Sequence, residues 1–372
     1  MMKDIVFDFQ EKMYSMQMNR IFALSLIILC LWTSCKRADD EPLYPPTPIS
    51  RLYISFSDIA NSDTQVYQNV VVFDPADSTD YFPTGNGYNT SPNQGMGITF
   101  SPDLRQVFQV SRLDYSVRYL TVSETGAVST SSRSFVDSVR ARSFRSIRYN
   151  KLSDQLFITN DDPATPANAS LNIYNNPSRL VGQQNPRKNI RLTRRPWGIA
   201  MTGTKTDTDS LLLLSTLTAG EVWAFNLAGI STGDSVSTGT PNHRLTISGA
   251  NDLRGIAYAP NSDILFLTDL GATTGTATDG IIYVIENAKQ TIRSGGSITP
   301  SRIITGSNTN LADPIDIAVS DDSTRKQYIY VADRANKTVM RFNFDANGNV
   351  SPNKNTVTRL SLTPEFIYLD AR

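Results

Sequence analysis

The chain has 372 residues, 40% apolar and 19% charged, enough to bury the core of one large β-structured domain or two average ones. Lys and Arg total 35, as do Asp and Glu, and this balance argues against nucleic-acid binding, which calls for a basic surplus. A lone histidine, His243, excludes a paired-histidine metal or redox site within one chain, and both cysteines, Cys30 and Cys35, precede residue 36, so everything downstream lacks disulfides, thiol nucleophiles and Cys-ligated zinc.

Residues 1–34 read as a leader. Ile21 to Trp32 is apolar apart from Ser25, too short to span a bilayer as a helix and the right length for the apolar region of a signal peptide, with Asn19-Arg20 as a short positive flank. Five of the eight methionines fall in the first 18 residues, and the charged stretch before Met18 is unlike a signal, so Met18 is a plausible start. Leu31-Trp32-Thr33-Ser34-Cys35 resembles a lipobox, with small Ser34 before the cysteine that would be lipidated; Trp32 departs from the preferred Leu and leaves ordinary secretory cleavage, or an uncleaved anchor, open. Residues 35–49 form a tether. Lys36 to Glu41 resembles the acidic segment after the cysteine in surface lipoproteins of Bacteroidota, and Pro42 to Pro48 is a stiff polyproline-like spacer. The expected address is the cell envelope, as an outer-membrane lipoprotein facing the periplasm or the outside, with the lipid as its membrane contact.

From residue 50 on, short apolar runs alternate with Gly, Asn, Asp, Ser, Thr and Pro, an all-β pattern over a repeat. A short strand recurs as Gly97–Phe100, Ser146–Tyr149, Gly198–Met201, Gly255–Tyr258, Asp316–Val319 and Phe366–Leu369; its isoleucines are 49, 52, 57, 61 and 50 residues apart. Each of the first five is followed by a second strand (Val107–Val110, Leu156–Thr159, Leu211–Leu214, Ile264–Thr268, Tyr328–Ala332) and a third. A fourth shows in places, as at Arg244–Ile247 and Arg302–Thr305. Four strands per unit predict β-propeller blades. The N-terminal unit has a second strand, Leu52–Phe56, and a third, Val70–Phe73, but no first, whereas the C-terminus ends on a lone first strand, Glu365–Leu369. Joined, they complete one blade. Residues 50–372 are thus expected to be a six-bladed β-propeller closed by a C-terminal strand, an arrangement that removes the sheet edges of an open array.

Tyr328 to Asn343 (YIYVADRANKTVMRFN) resembles an NHL repeat, and the motif as a whole resembles the NHL and YVTN type of propeller. That likeness is specific for fold and poor for function, because such propellers host enzymes, receptors and scaffolds.

Aligned units give columns with physical meaning. The isoleucine and the residue two later are apolar throughout, as inter-blade core should be, and the residue between is often small (Thr99, Ala200, Ala257, Ala318). The second strand ends on Ser57, Ser111, Asn160, Thr216, Asp269 or Asp333, short polar side chains suited to bond the following turn. Two residues before each isoleucine stand Met96, Arg145, Trp197, Arg254, Ile315 and Glu365. This column is the least uniform and is expected at the channel mouth, as a ligand site or as rim residues in ion pairs.

The nearest catalytic relatives by resemblance are the gluconolactonase-like propellers, in which Glu, Asn and Asp around this mouth hold a divalent cation such as Ca²⁺ that polarises the substrate carbonyl. Here Glu365 alone matches; Arg145 and Arg254 would repel the cation, and Asp252 and Asp313 would serve only in another geometry. His243, in a Pro-Asn-His-Arg loop, has no evident nucleophile or ligand beside it. No cofactor is called for. The expected role is a non-catalytic binding or scaffold module for a glycan, a small anionic ligand or a partner protein, with Arg and Trp suited to charge-assisted bonds and stacking; the alternative is a metal-dependent lactonase or esterase with an altered site.

Overall fold

The computed structural model describes residues 48–59, 67–78, 85–90, 94–130, 133–138, 143–161, 168–205, 209–233, 235–271, 279–353 and 358–372. The leader, Cys35 and most of the tether lie outside the described residues.

Residues 50–372 form a six-bladed β-propeller, one small sheet per blade. Innermost strands run over Gly95–Ser101, Phe144–Asn150, Pro196–Met201, Leu253–Ala259, Pro314–Val319 and Pro364–Ala371. The last of these pairs antiparallel with Ser50–Phe56, from Ser50 opposite Ala371 to Phe56 opposite Pro364, so the first blade is built from both ends of the chain. Second strands run a residue or two beyond the apolar stretches, as in Gln106–Ser111 and Gln155–Asn160, because the polar end residues keep their backbone bonds in the ladder. His243 opens the outer strand His243–Ile247 rather than sitting in a loop.

Sequence patterning missed a repeated lap between blades. Gly182–Gln184, on the way to the outer strand of the third blade, pairs in parallel with the outer strand of the second. Ser235–Thr238 does the same from the fourth blade to the third, and Gly296–Ile298 from the fifth to the fourth. Gly348, in the sixth, bridges to Ile304 in the fifth. Each lap covers an outer edge that would otherwise present unpaired backbone.

The six isoleucines Ile98, Ile147, Ile199, Ile256, Ile317 and Ile367 are at most 1% exposed and wedge the blades together. The position two later is less buried than expected: Tyr149, Met201, Val319 and Leu369 are half-buried, because this level borders the channel. Tyr149 and Tyr258 keep their hydroxyls on carboxylates, Asp154 and Asp263, at 2.9 Å each.

Every innermost strand has a register irregularity at the same level, between Gly95 and Ile98, Phe144 and Ile147, Pro196 and Ile199, Leu253 and Ile256, and Pro314 and Asp316, and at Pro364–Phe366 of the closing strand. A bulge frees a residue from the ladder and re-aims its side chain. The bulged residues are those of the variable column. In three blades a second-strand hydroxyl takes over the displaced backbone: Thr159 accepts the Ser146 N–H at 3.0 Å, Ser215 the Gly198 N–H at 2.8 Å and Thr268 the Gly255 N–H at 2.8 Å. Thr159 also donates to Trp197 O at 2.9 Å, and Ser215 donates to Arg254 O, so these hydroxyls tie each bulge to the next blade.

Candidate functional site

The bulges bring the variable column together at one end of the channel, where its members are buried: Met96, Arg145, Trp197, Ile315 and Glu365 are at most 4% exposed and Arg254 is 8%. Met96, Trp197 and Ile315 belong to the apolar core, and Trp197 stacks on Phe366 of the closing strand with ring centres 6.4 Å apart. Arg145 and Arg254 flank the indole, their guanidinium carbons 4.0 and 4.9 Å from its ring centre.

The charges are matched from loops. Asp161, fully buried, accepts from Arg145 Nη2 at 3.1 Å and from Arg195 at 2.6 and 3.0 Å. Arg254 spans Asp252 at 3.1 Å and Asp313 at 3.0 Å; Asp313 also takes Arg334 at 2.8 Å. Glu365 accepts from Arg334 at 3.4 Å and from Ser57 at 3.0 Å. Burial, reinforced by nearby Arg112, pulls Arg145 down to about 10, against the pull of Asp161 and Glu365. Burial works against charge on Arg334 too, but Glu365 and Asp313 hold it above its ordinary value. Within this ring Arg145 Nε, Trp197 Nε1, Arg254 Nε, Asp252 Oδ1 and Glu365 Oε2 have no hydrogen-bond partner among the described residues.

The acids that another geometry would need as cation ligands are turned to arginines, Asp252 and Asp313 to Arg254 and Glu365 to Arg334. Among the described residues no group of three or more His, Cys, Asp or Glu side chains is gathered as cation ligands would be.

The polar ends of the second strands mostly bind turns. Ser111 accepts the Asp114 N–H, and Thr216 donates to Thr218 O and Glu221 O. Asn160 donates to Asn168 O. Asp269 and Asp333 do more, each accepting three backbone N–H groups, including those of Asn251 and Asp252 and of Ala312 and Asp313, which orients the loops that carry the ion pairs. Burial nonetheless raises the pKa of both. Ser57 departs from the turn role and binds Glu365 instead.

Past the bulges neighbouring inner strands come close together. A Cβ on Gly97 would stand 2.7 Å from the Arg145 carbonyl, and one on Gly255 2.6 Å from the Asp316 Cα, so glycine is what lets neighbouring inner strands touch. Asp316 lies at this level, 2% exposed, its Oδ2 accepting the Ile367 N–H at 2.9 Å. Burial raises it to about 7, against Arg148 and the backbone N–H groups of Ile367 and Ile317, while Glu365 adds to the rise.

Beyond this level lies an open bowl of about 390 Å³. Ala200, Ala257 and Ala318, from the inner strands of three successive blades, line it together with Arg148, Tyr368 and Tyr258. The Arg148 guanidinium carbon is 5.5 Å from the Tyr368 ring centre, and Nη1 donates to Ile98 O at 3.4 Å and to Ile147 O at 3.3 Å. Sequence reasoning passed over this end. Its signal was present: in the column after the isoleucine, four residues are small and two, Arg148 and Tyr368, are not.

No family model matches the chain, and no curated protein matches it. Solved structures do. One from Bacteroides fragilis, carrying a provisional 6-phosphogluconolactonase designation, superposes with a TM-score of 0.53 at 10% identity, covering 89% of this chain and all of that one. A Bacteroides caccae protein of unknown function superposes with a TM-score of 0.51 at 7% identity, covering 86% of this chain and 98% of its own. At such identities the likeness is one of fold: this chain shares the propeller architecture of these Bacteroides proteins.

Proposed function

We propose that the chain is a lipid-anchored binding module of the NHL/YVTN type of propeller, tethered through Cys35 to the outer membrane, that takes a small ligand in the bowl. The observation that carries this reading is the contrast between the two channel ends. At one, carboxylates and guanidinium groups neutralise each other under a buried tryptophan; at the other, an open bowl offers one arginine, two tyrosines, two threonines and otherwise apolar or backbone surface among its described lining residues. That lining has no carboxylate, histidine or thiol to move a proton or attack a carbonyl, but it suits a ligand with an apolar body. The chain enters the propeller where Ile49 and Arg372 exchange backbone hydrogen bonds at 2.7 and 3.0 Å.

Two experiments test this. Mass spectrometry of the membrane fraction should find an acylated Cys35 at the mature N-terminus, and residues 1–34 persisting in the mature protein would overturn the anchor. Native-membrane co-purification should bring down a small molecule that Ala318→Leu, which narrows the bowl, no longer retains; equal retention would overturn the bowl as the binding site.

A further inference from the structure

We infer that the bowl is a site for an organic monocarboxylate with a compact apolar body, Arg148 being the residue that holds the carboxylate. This deepens the binding-module reading and rests on it.

The argument begins with the donors of Arg148. A guanidinium carries five N–H groups, and its Nε/Nη2 edge matches the two oxygens of a carboxylate. Both hydrogens of Nη1 are engaged by Ile98 O and Ile147 O. The Nε–H and the Nη2 hydrogens have no partner among the described residues, and that edge is the bidentate one. The backbone carbonyls hold the side chain in place without neutralising it. Arg145, Arg195, Arg254 and Arg334 all sit against carboxylates, whereas Arg148 has no ion pair among the described residues; it senses Asp316 only beyond ion-pair contact. A guanidinium without an ion pair among the described residues, beside low-dielectric walls, attracts an anion.

The surroundings choose among anions. Among the described residues that line the bowl Arg148 is the one cationic side chain, so one negative charge is matched and a phosphate dianion is not. The three alanines, with Ile317 and Val319, offer an apolar wall, and Tyr368 and Tyr258 add ring faces and edges. Burial raises the Tyr368 hydroxyl above its ordinary value, so it remains a neutral donor at physiological pH. A free inorganic anion would leave the apolar wall uncovered; a carboxylate on a compact hydrocarbon body covers both.

The test uses the purified full chain with benzoate, its neutral isostere benzamide and inorganic phosphate, read by saturation-transfer NMR, with melting temperature as the control for folding. Benzoate should bind in the millimolar range or tighter, about tenfold or more tighter than benzamide, and phosphate should not compete. Arg148→Gln should weaken benzoate by about tenfold or more and leave benzamide unchanged. Arg148→Lys keeps the charge, loses the fork and should fall between; it is the second variant should the glutamine chain melt early. Ala318→Leu should weaken both ligands. Equal binding of benzoate and benzamide, or benzoate binding unmoved by both Arg148 variants, would overturn the carboxylate assignment; if Ala318→Leu still abolished that binding, the bowl would remain a binding site for another ligand class. Phosphate displacing benzoate, or no benzoate binding to the unaltered chain, would also overturn it, while ligand retention from native membranes would still judge the broader module.

Discussion

Asp316 accepts the Ile367 backbone N–H at 2.9 Å, across the seam where the closing strand meets the sixth blade. The carboxyl is 2% exposed, and burial raises it from 3.8 to about 7. An acid raised on folding keeps its proton in the native state while the unfolded chain releases it. Its contribution is therefore most favourable below about 4, declines as pH rises toward 7 and is level above that. Asp316→Asn retains an oxygen for Ile367 and has no proton to lose. Urea midpoints for the two chains, measured from pH 4 to 8, should diverge in favour of the variant as pH rises to about 7 and then run parallel. Parallel profiles throughout would contradict the raised pKa.

The second prediction concerns the ring of charges. Asp161 is fully buried and holds both Arg145 and Arg195; Arg195 is 31% exposed at its side chain, Arg145 only 5%. Removing one partner of a buried ion pair leaves the other charge uncompensated, at a cost of about 3–5 kcal/mol. Asp161→Ala should approach that loss, since it strands Arg145. Arg195→Ala leaves Asp161 its bond to Arg145 and should cost clearly less. Denaturant midpoints decide it, and equal losses would show that Asp161 serves the exposed arginine rather than the buried one.

The closure of the ring was legible because both chain ends lack what the other supplies: Leu52–Phe56 needs an inner neighbour and Glu365–Leu369 has none of its own. The variable column was legible as an irregularity, but its surroundings were not. A bulge leaves no compositional mark, since Met96, Arg145 and Ile315 are freed from the ladder alike. Nor does the partner of Arg145 lie nearby in sequence; Asp161 stands on a loop beyond the second strand, and Arg195 on the approach to the next blade. The laps escaped notice because Gly182–Gln184 and Gly296–Ile298 are short and lack apolar alternation. Arg148 and Tyr368 were readable as departures from a small-residue column, one that lies past the isoleucines and away from the variable column.

The third prediction is that Ca²⁺ neither raises the melting temperature substantially nor supports turnover of a lactone panel. Arg254 lies between Asp252 and Asp313, and Arg334 on Glu365, so a cation entering there would have to displace two guanidinium groups. A chelator-reversible thermal shift, or metal-dependent lactone hydrolysis lost in Glu365→Ala, would contradict this and favour a lactonase.

Truncation after Thr363 tests the closure itself. The lost strand supplies the inner ladder for Ser50–Phe56. It also supplies Phe366 and Ile367, which are 2% and 0% exposed, while Leu369 is half-buried. Fully burying one such side chain contributes about 1.5–3 kcal/mol. Two of them, with the ladder beside them, rival a typical net stability of about 5–15 kcal/mol. Further losses follow: Trp197 loses its stacked partner Phe366, Asp316 its Ile367 N–H and Arg334 its Glu365 oxygen. The truncated chain should therefore unfold or aggregate. Deleting residues 36–48, which precede the first described strand at Ser50, should leave the melting temperature within a degree or two, on the order expected of a surface change. A truncated chain that melts cooperatively near the intact one would mean that the ring holds without its closing strand.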